Sequence, residues 1–399
     1  MKKFAYFSFP IFLYLLLGIY ASRYNFTIFE SVLKTQNASG YYDYRGVTHV
    51  HTNKSTGSLS HAMVIQAAKD ADQDFIIFTD LNDFSHPRFS EGYDGSLLVL
   101  HGQELSYLDS HILYYEEPKS LDLTGMGQTQ VHLTDMLSQK RLSTDPGFFV
   151  LAHPFKSKYH WSGDYPIGLD GIEVLNLMRL WEQAWQSSKL SVMWSGLLYP
   201  FNPELSLIRL YEDPSEELDL WDKLTRKRPT IGMGGSDATA RIAAVPGVHF
   251  PSYQRSFGLM SNHILLTTEL TGSTSSDKNK TLQALKGGHF YMAFDALGLT
   301  KGFVAELRTA EKRWLMGSSV KWTPGLELNI RLPQRPMTDF EVVVMKDGQR
   351  FMTSNSQLTQ MNVLLPGVYR VMVRVIPFLP LPDGKRWFTW ILTNPFYVQ

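Results

Sequence analysis

From Tyr44 to about Phe294, short apolar runs of strand length alternate with longer amphipathic segments, and this alternation constrains the fold more than any other feature. Strand-like runs fall at 44–50, 75–79, 97–106, 111–115, 148–152, 171–175, 230–234 and 264–268. Helix-like segments fall at 60–70, 129–141, 215–227 and 277–286. Such alternation predicts an α/β fold with a mostly parallel sheet. Ser58-Leu59-Ser60 offers an N-cap for the helix that opens with Ala62-Met63-Val64-Ile65.

Four further regions flank or interrupt that core. Lys2 and Lys3 precede an uncharged, aromatic-rich stretch that runs to Ser22, the pattern of an export signal or a membrane anchor. Residues 1–21 are assigned to it, and 22–43 to a linker. Residues 161–203 hold Trp161, Trp181, Trp185, Trp194, Tyr199 and Phe201. They read as an aromatic helical insertion: a hairpin with its own small core, a lid, or a face that touches a membrane. Residues 44–298 form the main domain. Beyond it, at 299–399, short β-rich runs are punctuated by Asp347-Gly348, Pro366-Gly367 and Asp383-Gly384, predicting an all-β, sandwich-like domain.

Composition narrows the function. The 399 residues carry 38 basic and 38 acidic side chains, so no basic surplus points to nucleic acid. Cysteine is absent, which excludes disulfides, thiolate metal sites and a cysteine nucleophile.

Several apolar runs begin or end in side chains that can bind metal. His49-Val50-His51 closes the first, and residues two apart on a strand share a face, roughly 6.6 Å from each other. Glu104 ends Leu100-His101-Gly102-Gln103-Glu104, and His111 opens His111-Ile112-Leu113. His153 follows Val150-Leu151-Ala152, and Asp237 follows Gly234-Gly235-Ser236. Barrel enzymes present their chemistry at strand ends in this way. Four imidazoles and two carboxylates without a thiolate suit Zn, Mn or Fe.

In order, these motifs resemble those of the PHP (polymerase and histidinol phosphatase) family of metal-dependent hydrolases, across residues 44–295. The family pattern is His-x-His, Thr-Asp-His, Gly-x-Glu, a His before an apolar strand, His-Pro and Ser-Asp-x-His. Here it stands as His49-Val50-His51, Thr79-Asp80-Leu81, Gly102-Gln103-Glu104, His111-Ile112-Leu113, His153-Pro154 and Ser236-Asp237-Ala238-Thr239. The β-rich tail and the segment Gly287-Gly288-His289-Phe290-Tyr291-Met292-Ala293-Phe294 are similar to the exported carbaryl-hydrolase-like (CehA/McbA) branch. The resemblance implies a distorted (β/α)7 barrel with His49, His51, Glu104 and Asp237 on one metal. It implies Glu104, as a bridge, with His111 and His153 on a second. Third-metal positions read Thr56, Leu81 and Thr239, so the implied centre holds two divalent ions.

That centre implies hydrolysis by a metal-activated hydroxide, with Glu104, His153 and Asp237 at the reacting core. Asp80 and Asn82 are expected to orient ligands, Arg241 and Lys54 to stand in for the third cation, and His289 to contact substrate or to be a buried, hydrogen-bonded histidine. The expected substrate is a small phosphoester. A carboxyl ester or carbamate is the alternative, and a ligand-binding protein of the cell envelope without turnover is another. The expected location is the cell envelope or periplasm, with the N-terminal segment at the membrane.

Overall fold

The computed structural model describes residues 2–29, 40–83, 91–116, 125–139, 147–245 and 248–399, the side chains of 2–8 and 243–248 aside. The chain is mixed α/β. It runs α1 (Lys2–Ser22), β1 (Tyr42–Val50), α2 (His61–Asp70), β2 (Phe75–Phe78), β3 (Gly92–Asp94), β4 (Leu97–His101), β5 (Gln103–Tyr107), β6 (Ser110–Tyr115), α3 (Met126–Ser138), β7 (Phe148–Leu151) and β8 (Gly171–Asn176). Then come α4 (Leu177–Ser187), α5 (Lys189–Leu198), α6 (Pro203–Ile208), α7 (Ser215–Thr225), β9 (Ile231–Gly235), β10 (Ile242–Val245), β11 (Val248–Phe250), α8 (Tyr253–Leu259), β12 (Ser261–Leu266), α9 (Thr274–Lys286) and β13 (Phe290–Ala293). Short β-strands make up most of the remainder.

Two sheets carry the first region. One holds β3, β4, β2, β1, β12 and β13 in that spatial order, and the other holds β5 to β9 in sequence order. They touch at two isolated bridges, Val50 to Ala238 and Leu81 to Glu104. The expected mostly parallel sheet is in fact mixed. β1–β2, β2–β4, β7–β8 and β8–β9 are parallel, whereas β5–β6, β6–β7, β1–β12 and β12–β13 are antiparallel. The short β5–β6 connection explains part of this, since only antiparallel neighbours can be joined by a tight turn.

The strand expected over 97–106 is broken at Gly102. Residues before it pair with β2, and residues after it pair with β6 in the other sheet. A Cβ at Gly102 would lie 2.6 Å from the Tyr114 carbonyl oxygen, so only glycine lets the chain cross between sheets there. Helix α2 buries His61, Val64, Ile65 and Ala68, one face at helical spacing. Ser60 occupies its N-cap in extended conformation, but its side chain makes no capping bond.

The segment expected to be a linker is not one where it is described. Phe26, Ile28 and Phe29 are buried in the main core, and Ile28 exchanges backbone hydrogen bonds with Leu297 and Met337. Residues 30–39 lie outside the described residues. The aromatic segment is not wholly helical, because β8 occupies Gly171–Asn176 within it. Among the described residues no helix is long and apolar enough to cross a membrane.

The C-terminal strands form a four-stranded sheet and also continue the first sheet, because β13 pairs with Phe388–Thr393. One core cluster accordingly spans both regions, from Phe26 to Val398. Asp347-Gly348 forms the expected turn, with positive φ at both residues, between Phe340–Lys346 and Gln349–Ser354. The strand next to Glu327–Arg331 is Leu358–Asn362, and the apolar Leu364 and Leu365 that follow it are exposed.

A buried ion cluster ties β1 to β12. His263 Nδ1 lies 2.9 Å from Asp43 and Nε2 3.0 Å from Asp295. Tyr291 stacks on the ring and donates to Asp43. Burial alone would lower the His263 pKa, but the Asp295 and Asp43 carboxylates outweigh it and push it up to about 9. A raised histidine stabilises the fold fully below its unfolded pKa near 6.5 and loses that contribution as pH rises through the folded value. Chemical denaturation should therefore show stability falling between about pH 7 and pH 9.5, by on the order of 3 kcal/mol in the limit. In His263→Gln that slope should be absent; an unchanged slope would remove His263 as its source.

Candidate metal centre

Backbone strain marks the site before any side chain is considered. His49, His153 and Asp237 have φ of 58°, 27° and 45°, in the left-handed region that non-glycine residues avoid. Each such residue costs about 1–3 kcal/mol and persists only where its surroundings fix it. The surroundings here do so. Ser236 Oγ donates to the His49 carbonyl at 2.9 Å, and Tyr253 OH donates to the His51 carbonyl at 2.7 Å. Asp80 accepts from the Thr52 amide at 2.6 Å, the Thr52 hydroxyl at 2.7 Å and Ser55 Oγ at 2.5 Å, pinning the loop after His51. Asn82 accepts from the Ser106 amide and donates to its hydroxyl, holding β5.

Glu104 sits at the centre. Its Oε1 lies 3.3 Å from His49 Nε2, 2.9 Å from His111 Nδ1 and 3.3 Å from His153 Nε2. Its Oε2 lies 3.3 Å from His51 Nε2. Asp237 Oδ1 closes the other side, 3.5 Å from His51 and 3.8 Å from His49. His49, His51 and Glu104 form one group with ligand atoms within 4.8 Å of one another; His49, His153 and Asp237, and Glu104, His111 and His153, form two more.

Two charged residues that sequence reading passed over complete the cluster. Glu173, on β8, accepts from His49 Nδ1 at 2.7 Å and from the His153 amide at 2.9 Å. That bond makes Nδ1 the donor to Glu173, so Nε2, which faces Glu104, is the nitrogen left to meet a cation or to carry a second proton. A Cβ at Gly235 would overlap Glu173 Oε1, so glycine there lets the carboxylate reach His49. Lys156 holds Asp237 Oδ2 at 2.7 Å. The sequence signal for Glu173 was a lone acid within the apolar strand Gly171-Ile172-Glu173-Val174-Leu175. Lys156 carried no comparable signal.

Buried charge does not balance within this group. Three carboxylates, Glu104, Glu173 and Asp237, less one ammonium, Lys156, leave two negative charges when the imidazoles are neutral. Burial raises the Glu104 and Asp237 pKa values, yet His49 and His51 beside the first, and Lys156 and His49 beside the second, hold both well below the usual range. Burial opposes a charge on His49, but Glu173, Glu104 and Asp237 push its pKa well above normal. A proton on His49 is thus one way to meet the excess, and a divalent cation is the other. His49 Nε2 and His153 Nδ1 are also buried without a hydrogen-bond partner. Orphaned nitrogens, surplus carboxylate charge and an N/O donor set fit divalent metal.

The remaining expected residues divide. Arg241 is exposed and lines the mouth of the cavity beside the cluster, as do Thr56, Leu81 and Thr239. Lys54 is exposed and is not among the lining residues. The structure does not bring His289 to the site. It precedes β13 at the end paired with Ile264, whereas the cluster lies toward the opposite end of β12. Burial lowers its pKa.

Fold and site define a mixed α/β protein with a buried His–carboxylate cluster able to hold metal. No family model matches the chain, and no curated protein matches it. Among solved structures it is similar to a two-domain protein from Bacteroides vulgatus containing a predicted PHP-like metal-dependent phosphoesterase, at 13% identity and TM-score 0.40, over 91% of this chain and 98% of that one. It is also similar to PsfC from Pseudomonas syringae, at 12% identity and TM-score 0.34, over 61% of this chain and 96% of that one. Similarity of this degree does not define a family.

Glu173→Gln cannot supply two acceptor oxygens to His49 and the His153 amide. It should weaken Zn or Mn affinity about 10–100-fold, read by chelator competition, without altering the circular dichroism spectrum. Unchanged affinity would remove Glu173 from the supporting role.

Proposed function

We propose that the protein is a metal-dependent phosphoester hydrolase of the PHP type. The observation that carries this reading is Glu104, whose two oxygens meet four imidazoles, from strands β1 and β6 and from the loops that follow β1 and β7, beside an open cavity. In this reading His49, His51, Glu104 and Asp237 hold one divalent ion, and Glu104, His111 and His153 hold a second. Strands β1, β2, β5, β6, β7, β8 and β9, linked by sheet pairing and by the two bridges, support the distorted seven-stranded barrel. Bound ions supply water activation and neutralise charge on the ester.

The chain's own groups do the rest. Glu173 orients His49, and Lys156 occupies Asp237 Oδ2 so that Oδ1 faces His49 and His51. Arg241 at the mouth brings positive charge to an anionic ester. Tyr159 packs at a tilt against His111, at 4.3 Å between ring centres, and restricts it. Thr56, Leu81 and Thr239 offer no imidazole or carboxylate, in keeping with two ions rather than three. Export and attachment to a membrane belong to the same proposal, supported by Lys2, Lys3 and the uncharged stretch that follows.

Purified full-length protein should contain about two Zn, Mn or Fe ions per chain by elemental analysis. It should cleave a chromogenic phosphodiester in a chelator-sensitive way. Glu104→Gln should lose both metal and turnover. Cleavage of carboxyl esters alone would shift the assignment to an esterase or carbamate hydrolase, and metal without any turnover would leave a binding protein. Protein that retains no metal would sink the proposal.

A further inference from the structure

The cavity beside the cluster has two unlike walls. One is the His–carboxylate group with Lys156. The other is mostly apolar, Glu182 being its one acid, and is built largely by the aromatic insertion. Met178, Trp181 and Trp185 stand on one face of α4 at helical spacing, joined by Val192 of α5 and Leu210. The neighbouring face of α4, about 100° around the helix, uses Leu177, Leu180 and Ala184 to pack on the protein body, and Trp181 also touches the core. The helix therefore has its own anchor, and the Met178–Trp181–Trp185 stripe borders the cavity. At about 440 Å³ the space suits a ligand larger than a bare phosphate.

The apolar character does not stop at the cavity. Trp185 lines it and is 45% exposed; on α5, Leu190, Met193 and Leu197 are 78%, 60% and 49% exposed. Helix α1 docks on this region. Tyr14 OH donates to the Leu197 carbonyl and its ring meets Phe201, while Asn202 donates to the Ala21 carbonyl. The other faces of α1 expose Phe12, Leu16 and Ile19. An apolar band thus runs from the cavity mouth across α5 onto α1, larger than the single exposed side chains of an ordinary surface. Arg23 and Lys189 border it, Lys2 and Lys3 open α1 in sequence with no acidic residue before Glu30, and the acids of the adjoining helices are Glu182 and Glu204. Basic charge bordering an apolar face matches an anionic lipid surface.

We infer that the site takes a lipid phosphoester from a bilayer, with its hydrocarbon chain against Trp181, Trp185, Met178, Val192 and Leu210 and its phosphate at the His–carboxylate cluster. What is cleaved rests on the hydrolase reading above; what is bound does not. In the cleavage, oxygen from water forms a bond to phosphorus, one P–O ester bond breaks, and the leaving alcohol takes a proton from the water.

Calorimetric titration of the metal-loaded full chain with dodecylphosphonate and methylphosphonate, neither of which is cleaved, tests the apolar wall. Burial of a methylene is worth roughly fourfold in affinity, so the dodecyl compound should bind at least about 100-fold tighter. Trp185→Ser and Val192→Ser should each shrink that ratio, and equal affinities in the wild type would overturn the inference. Turnover of dodecyl against methyl p-nitrophenyl phosphate separates the two readings. Tight dodecylphosphonate binding without turnover of either ester supports the wall and sinks the hydrolase; equal turnover with equal binding does the reverse. The chain has no cysteine, so Met193→Cys and Asn355→Cys each accept a single environment-sensitive dye. On vesicles of phosphatidylcholine and phosphatidylglycerol, the dye at 193 should shift to the blue and the dye at 355 should not. A dye at 193 that stays unshifted would overturn delivery from the bilayer.

Discussion

Glu104 joins the two sheets through its backbone and gathers four imidazoles through its side chain. The Leu81 bridge and the bond from the Asn82 amide to the Glu104 carbonyl fix its main chain between the sheets, while β5–β6 pairing fixes the direction of its carboxylate. The side chain is 3% exposed. An anion so buried is stable only among opposite charges and donors, and here imidazoles surround it. The site is therefore not attached to a finished fold. It lies on the line where the sheets meet, and the cost of its buried charge falls on the same contacts that hold them together.

How much of this was legible in the sequence follows from what each residue needs locally. His49, His51, Glu104, His111, His153 and Asp237 stand at the ends or starts of apolar runs, so a one-dimensional pattern exposes them. Glu173 sits inside a run and reaches His49 across 124 residues of chain, a distance no local pattern reports. Lys156 meets Asp237 across 81 residues for the same reason. The Gly102 crossing was hidden because residues on both sides favour strand; only the close approach of Tyr114 shows why the strand breaks. His289 misled for the opposite reason. It precedes an apolar strand as His111 does, but an antiparallel register puts that strand's start at the wrong end of the sheet.

The C-terminal strands matter to the site although they carry none of its residues. Pairing of β13 with Phe388–Thr393 extends the sheet that contains β1. Asn394 donates to the Gly232 and Phe290 carbonyls and accepts from the Gly232 amide, so β9 is held from the same side. Strands β1 and β9 deliver His49, His51 and Asp237. Their strained backbones need a frame that does not relax, and a hydrogen-bonded sheet continuous from β4 through β1 to the C-terminal strands provides it.

Hydrogen-bonded strand ends at one wall and apolar helix faces at the other then divide the work of the cavity. The His–carboxylate side is built from strand ends locked by Asp80, Asn82, Glu173 and Asn394. The apolar side is built from helices, where Glu182 takes bonds from Ser157 and pairs with Arg179, and Lys189 lies over the Trp185 ring. Metal chemistry tolerates little displacement of its ligands, whereas a flexible chain is held by area rather than direction. A phosphate fixed at one end and a hydrocarbon tail loosely wrapped at the other match that division. In that arrangement specificity for the reacting group comes from the strands, and selection among tails comes from the insertion.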